Sequence, residues 1–172
     1  MKKIFSAIMI AAAAMLGISS CSTETDESAG GTAVQDMAGN WDVDIEVLEL
    51  DENGNYGSEP VAIYPGFTLY TYNTNSNRSD SLYIDDLGKA WPVKIKVGCN
   101  LSDLTISGTD VINIYDDEET CQVNGRVLPG AAKNLHGKPN DSICVEIEFS
   151  SDPGYLYRFP GQRYTGFDES YK

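Results

Sequence analysis

The sequence is poor in histidine: His136 is the only one among 172 residues. A Ser-His-Asp triad needs a positioned histidine as its general base, and the residues around His136, Asn134 to Pro139, are typical of a surface loop. The G-x-S-x-G turn that carries the nucleophile of α/β-hydrolases is also absent. Paired carboxylates are therefore the remaining acid–base candidates, although such charge runs, Asp116 to Glu119 among them, are more often solvated turns.

Basic residues are also scarce. Twelve Lys and Arg stand against 26 Asp and Glu, which gives a net charge of −14. Nucleic acid binding requires a basic surface that meets the phosphates, and anionic lipid headgroups attract basic segments in the same way. The composition therefore predicts no nucleic acid partner and no electrostatic docking on an anionic membrane.

Metal-ligand patterns are missing too. The cysteines beyond residue 21, Cys99, Cys121 and Cys144, follow no zinc spacing, and we expect neither a metal nor a cofactor. One cross-strand disulfide among them and three small buried hydrophobic thiols both fit the sequence. The run from Asp51 to Asn55 begins like a calcium loop, but Tyr56 takes the place of the required glycine, so a hairpin turn explains it better.

No apolar run is long enough to span a bilayer, which needs roughly 20 residues. Lys2 and Lys3 precede a short apolar stretch, and small residues then lead to Cys21. This layout is typical of a secretory signal, which we predict over residues 1–20. The end of the stretch resembles the lipobox of bacterial lipoproteins, which implies that Cys21 carries a lipid. Two or more acyl chains would anchor the chain stably in a membrane.

Residues 22–32 are acidic and small, so they cannot bury enough surface to fold. We predict a lipidated cysteine and flexible tether over residues 21–35 and a single domain over residues 36–172. The expected location is the outer membrane, with the domain facing the periplasm or the cell surface. Acidic residues after the cysteine resemble a surface-export signal, but a solvated periplasmic linker explains them equally well.

The body alternates polar and apolar residues with the period of half-buried strands. The clearest example is Trp41 to Leu48, which the turn signal Asn53-Gly54 follows. We predict an all-β fold, an antiparallel barrel of about 8–10 strands, because closure removes exposed strand edges. The strand segments expected from the pattern are 41–48, 67–72, 81–85, 91–97, 103–107, 111–115, 120–128, 142–149, 156–159 and 162–167.

Aromatic residues are abundant, with ten Tyr and two Trp. They could line an apolar pocket at the mouth of a barrel, stack on sugar rings, or simply fill the core. The candidates for ligand binding are the aromatic residues in or beside predicted strands: Tyr70, Tyr72, Tyr83, Trp91, Tyr157 and Tyr164.

Three segments together resemble one family of Bacteroidetes lipoproteins, named "lipid-binding putative hydrolase". They are Gly39-Asn40-Trp41, Trp91 to Val97 (WPVKIKV), and Arg163 to Phe167 (RYTGF). The resemblance implies a calycin-like (lipocalin-like) antiparallel barrel. Gly39-x-Trp41 also looks like the start of lipocalins, which implies that Trp41 closes one barrel end and has a structural role.

Our leading hypothesis is a non-enzymatic binding module that holds a small hydrophobic or amphipathic ligand. Its membrane contact would come from the lipid anchor at Cys21. A surface accessory protein that captures glycans or peptides with exposed tyrosines is the alternative. A hydrolase, which the family name suggests, is a third and weaker hypothesis because no catalytic motif accompanies the name.

Overall fold

A computed structural model describes residues 31–166. The predicted signal peptide, Cys21 and Phe167, the last residue of the RYTGF segment, lie outside this range. All eight elements within it are strands: β1 Gly39–Glu49, β2 Ala62–Asn73, β3 Ser81–Asp85, β4 Lys94–Asn100, β5 Thr105–Asn113, β6 Asp116–Lys133, β7 Pro139–Phe149 and β8 Tyr155–Arg163. The all-β prediction is confirmed, at the lower end of the expected number of strands.

Each strand pairs antiparallel with the next, and β8 pairs with β1 to close the barrel. The strand count is low because two pairs of predicted strands are single ones. Segments 103–107 and 111–115 both belong to β5, which continues through a register shift between Gly108 and Val111. Pro160 and Gly161 do not end β8, since both keep partners in the sheet.

Alternate side chains of each strand fill the barrel interior. In β1 these are Trp41, Val43, Ile45 and Val47, while the polar residues between them face outward. Val34, which precedes β1, is also fully buried in the same core. Packed structure therefore includes the last part of the segment expected to be a tether. None of residues 31–166 forms a helix that could cross a membrane.

One end of the barrel, called here the closed end, is sealed by Trp41 and Arg163. Trp41 is 0% exposed, and its indole Nε1 donates to Thr71 Oγ1 at 2.8 Å. The Arg163 guanidinium lies 4.3 Å from the Trp41 ring, forms an ion pair with Asp141, and donates to the Ala38 carbonyl. A Cβ atom on Gly39 would overlap this guanidinium, which explains the glycine. The structural role expected for Trp41 is confirmed.

The opposite end, called here the open end, has an incomplete wall. Asp44 of β1 faces a register shift in β2 at Pro65–Gly66, where Gly66 has φ of 83° and its N–H donates to Asp44. Such a bulge bends the strand that carries it. β3 is only five residues long, and it pairs with β2 at residues 70–73 alone. The first half of β2 therefore has a neighbour on one side only.

The three cysteines of the described region are free thiols. Cys121 is 0% exposed inside the barrel, and Cys99 and Cys144 are partly buried. Burial, together with the nearby Glu119 charge, raises the pKa of the Cys121 thiol to about 12. The structure thus agrees with small buried hydrophobic residues rather than a cross-strand disulfide.

Candidate functional site

The open end holds a cavity of about 410 Å³. Ligand pockets commonly measure roughly 300–1,000 Å³, so this one suits a small ligand. Its wall is mainly apolar and aromatic, with one carboxylate among the lining side chains: Ile45, Val47, Val61, Ala62, Tyr64, Phe67, Ala90, Trp91, Asp152, Tyr155 and Tyr157.

Strands β1, β2 and β8 supply most of the cavity wall. Ile45 and Val47 of β1 and Tyr157 of β8 point inward and are largely buried. Ala62 of β2 is opposite Val47, so it faces the same interior. The bulge in β2 and the missing β3 partner leave this corner unfilled, which is why a space remains here.

Trp91 covers the gap in the wall from the β3–β4 connection, residues 86–93. Its ring stacks on Phe149 with centroids 5.2 Å apart and meets Tyr157 at 5.0 Å. Phe149 and Tyr157 contact each other edge to face at 5.2 Å. These three rings form a continuous aromatic cluster on one side of the cavity. Such pairs add about 0.5–1.5 kcal/mol each beyond simple burial.

Asp86 fixes the connection that carries Trp91. Its carboxylate is 2% exposed and accepts the backbone N–H groups of Gly88 at 2.7 Å, Ala90 at 2.9 Å and Val93 at 3.0 Å. A carboxylate that accepts several backbone N–H groups holds a loop in one conformation, because each charge-assisted bond is stronger than a neutral one. Asp86 is therefore a positioning residue for Trp91.

A second buried network joins two loops of the open end. The Asn113 amide donates to the Pro92 carbonyl at 2.8 Å and to Glu119 Oε2 at 2.7 Å. The other Glu119 oxygen accepts the Ser151 hydroxyl. Asp116 to Glu119 was predicted to be a solvated turn; for Glu119 this is wrong, because it is 5% exposed and faces inward. The network holds the loop beside Trp91 and the loop before β8 in fixed positions.

The carboxylate of the cavity wall is paired with a tyrosine. The Tyr157 hydroxyl donates to Asp152 Oδ2 at 2.5 Å. Burial raises the pKa of Tyr157, and the hydrogen bond and negative charge of Asp152 add to the effect. Tyr157 therefore stays protonated and donates its hydroxyl to Asp152 at the edge of an apolar space.

The structure brings together two of the six aromatic residues predicted to bind a ligand. Trp91 and Tyr157 line the cavity. Tyr70 and Tyr72 do not, because they alternate with the inward Leu69 and Thr71 and so face outward. Tyr83 lies beside Tyr72 on the outer wall, with ring centroids 5.5 Å apart. Tyr164 follows β8 at the closed end and is 42% exposed.

The outer tyrosines belong to a separate polar cluster. Tyr72 donates to Asp85 at 2.6 Å, and Tyr115 donates to the same carboxylate at 2.9 Å. Lys94 lies 3.2 Å from Asp85 and 5.6 Å from the ring centroids of Tyr72 and Tyr83. Burial alone would raise the pKa of Asp85, but these hydrogen bonds outweigh it and lower that pKa. The cluster stabilises the outer wall beside the open end.

Sequence reasoning missed most of the cavity. The aliphatic wall, Tyr64 and Asp152 were not predicted as site residues. Strand alternation identifies Ile45 and Val47 as core residues, but nothing in it shows that the space before them stays empty. The Pro65-Gly66 pair inside an apolar strand was the available signal, since both residues are typical of a bulge.

The chemistry of the cavity favours holding an apolar molecule. Among the described residues, no serine, cysteine or histidine lines it. Within residues 31–166, no group of three or more His, Cys, Asp or Glu side chains is arranged to hold a metal ion.

The fold and cavity define a class of protein: a closed, eight-stranded antiparallel barrel of calycin-like type with an apolar pocket at one end. Comparison with known families agrees with this description. The chain belongs to the family described as "Lipid-binding putative hydrolase", whose model matches residues 26–168. No curated protein matches the chain.

Proposed function

We propose that this protein is a non-enzymatic binding module of the bacterial cell envelope that holds one small hydrophobic or amphipathic ligand. The observation that carries the proposal is the apolar cavity at the open end, between Trp91 and the strands β1, β2 and β8. Membership in a lipid-binding family supports the same ligand class. Burial of apolar ligand surface would supply the binding energy, at roughly 25 cal/mol per Å².

The cavity volume limits the size of the ligand. A space of about 410 Å³ is near the lower end of the usual range for small-molecule sites. It suits one acyl or alkyl chain better than a complete two-chain lipid. Tyr64 and Val61 at its rim are 54% and 59% exposed, so a chain could enter without opening the barrel.

Filling the cavity tests the proposal. Ala62 lies on the cavity wall, and its neighbour Ile63 faces outward and is 55% exposed. We expect Ala62→Trp to weaken binding of the neutral apolar dye N-phenyl-1-naphthylamine by at least about tenfold, because a loss of roughly 1.4 kcal/mol has that effect. Ile63→Trp, the matched control, should bind like the unmodified protein. Fluorescence titration measures both.

Native mass spectrometry of protein purified from its own host complements the titration, and a bound small molecule of lipid-like mass is expected. Unmodified protein that binds no dye and carries no such molecule would contradict the proposal. So would an Ala62→Trp variant with unchanged affinity.

We further propose that the protein is an outer-membrane lipoprotein of the Bacteroidetes type, anchored through Cys21. The positive start, the apolar run and the small residues before Cys21 support this, and residue 21 lies outside the described region. We expect unmodified protein in the membrane fraction and Cys21→Ser protein in the soluble fraction. Mass spectrometry of the N-terminal peptide should show acyl chains on Cys21. An unmodified Cys21 in mature protein would overturn the anchor.

A further inference from the structure

The polar part of the cavity wall carries negative charge only. Asp152 is the one charged side chain of the lining, and the other polar side-chain groups there are the Trp91 indole N–H and the hydroxyls of Tyr64, Tyr155 and Tyr157. Among the described residues, no lysine or arginine lines the cavity. An anionic ligand end would therefore meet no opposite charge in this site.

The nearest basic residues along the chain do not change this balance. Lys94 begins β4 on the outer wall, where it forms an ion pair with the buried Asp85 at 3.2 Å. Lys89 precedes Ala90 but is exposed and is not part of the cavity lining. Arg158, which follows Tyr157, is not part of the lining either and forms ion pairs with Glu46 and Glu146. These three cations thus lie outside the space that a ligand would occupy.

Two segments at the open end add further negative charge. The connection between β1 and β2 carries exposed acidic residues, and the start of β6 carries more. Clefts lined by one sign of charge concentrate ions of the opposite sign, because low-dielectric walls focus the field. The exposed carboxylates of these two segments are Asp51, Glu52, Glu59, Asp116, Asp117 and Glu118.

Aromatic rings in the cavity wall offer a second attraction for a cation. Trp91 and Tyr157 meet at 5.0 Å, and Tyr64 and Tyr155 complete the aromatic part of the lining. The faces of such rings attract positive charge, tryptophan most strongly. Rings and a carboxylate at the edge of an apolar space together suit a positive group on an apolar chain.

Asp152 is available for such a group. One of its oxygens accepts the Tyr157 hydroxyl, and no described residue forms an ion pair with it. The side chain is half-buried, so a ligand charge beside it would be screened less than at an open surface.

We propose that the ligand is a single-chain amphiphile with a positively charged end, whose chain fills the apolar cavity and whose cation lies against Asp152 and the surrounding rings. This inference rests on the proposed binding function and names its ligand class. A fatty-acid anion is disfavoured, because its carboxylate would be brought toward Asp152 and away from water.

Three amphiphiles with the same dodecyl chain length test the inference: dodecyltrimethylammonium, neutral monolaurin and laurate. Calorimetric titration of the full chain below the micelle concentration gives the three dissociation constants. We expect the cation to bind about tenfold tighter than laurate, with monolaurin between them. The difference should shrink at high salt, because the charges at the rim are then screened.

Asp152→Asn removes the charge and keeps the shape. We expect the preference for the cation over laurate to fall to about threefold or less in this variant. Asp117→Asn removes an exposed charge at the same end and should leave the preference within about twofold of the original.

The possible failures are distinguishable. Equal binding of all three probes, or tightest binding of laurate, would overturn the ligand class while leaving the binding function intact. Absence of binding by every probe and by the neutral dye would overturn both. Binding to phosphatidylcholine vesicles without binding of free dodecyltrimethylammonium would also overturn the inference. The protein would then recognise cationic headgroups on a membrane surface and not a single amphiphile in its cavity.

Discussion

The two ends of the barrel are built from the same eight strands but use tryptophan differently. At the closed end, Trp41 is 0% exposed and its indole N–H is hydrogen-bonded to Thr71. At the open end, Trp91 is partly buried in a loop and borders an unfilled space. Side chains of the protein fill the closed end, whereas the open end keeps a cavity that a ligand could occupy.

The distribution of apolar surface follows the same division. Most of the exposed large hydrophobic side chains in the described region lie at or near the open end: Leu50, Val61, Ile63, Tyr64, Leu87, Ile112, Ile114 and Tyr115. Exposed apolar patches on soluble proteins commonly mark interaction sites. The closed end is thus filled by its own side chains, whereas the open end combines an unfilled cavity with exposed apolar surface.

The same substitution at the two tryptophans gives the largest expected effect. Trp41→Ala should lower the free energy of unfolding by about 3–5 kcal/mol, because it empties a fully buried site and removes one contact each of Thr71 and Arg163. Trp91→Ala should cost clearly less stability but should abolish most ligand binding. Denaturant unfolding and dye titration on both variants measure the contrast.

Equal losses of stability in the two variants would contradict this difference between the two ends of the barrel. Trp91 would then belong to the structural core, and the open end would be no less rigid than the closed one. Arg163→Lys supplies a check at the closed end, since it keeps the charge but loses the planar group that stacks on Trp41. Its effect on ligand binding should be negligible.

A smaller loss of stability is expected from Asp86→Asn, which tests how the loop that carries Trp91 is held at the open end. The substitution replaces one acceptor oxygen by a donor amide, so the three N–H bonds to Asp86 cannot all survive. We expect a loss of about 1–3 kcal/mol and weaker ligand binding, because the loop that carries Trp91 is released. Amide hydrogen exchange at Gly88, Ala90 and Val93 reports on the loop directly.

Asp51 provides the matched control for this substitution. It also accepts backbone N–H groups in a turn, those of Asn53 and Asn55, but it is exposed. Asp51→Asn should therefore change neither stability nor binding measurably. A similar response of the two variants would show that burial of Asp86 has no special role.

Much of the fold could be predicted because strand alternation is a local property. Trp41 to Leu48 shows it without interruption, and β1 forms where the pattern predicts. Two pairs of predicted segments are single strands, because β8 stays paired through Pro160 and Gly161 and β5 continues through a register shift. Proline and glycine in the sequence predict the end of a strand, but closure of the barrel keeps these segments paired with their neighbours.

The cavity could be predicted only in part, because it depends on which face of a strand meets which loop. β2 carries large residues on both faces, with Leu69 inside and Tyr70 outside. Alternation separates the two faces but does not say which one is inward. Asp152 was missed because its role comes from Tyr157 and from the shape of the neighbouring loops, and neither is visible in the sequence.

The pairing of the first strand with the last also sets the order in which the molecule can form. Arg163 donates to the carbonyl of Ala38, 125 residues earlier, and β1 meets β8 along the same seam. Pairing of strands so far apart in sequence is slow, because the entropy of loop closure is lost before the contacts between them form. A chain that emerges N-terminus first cannot complete its pocket until β8 has arrived, so ligand capture must follow the last step of folding.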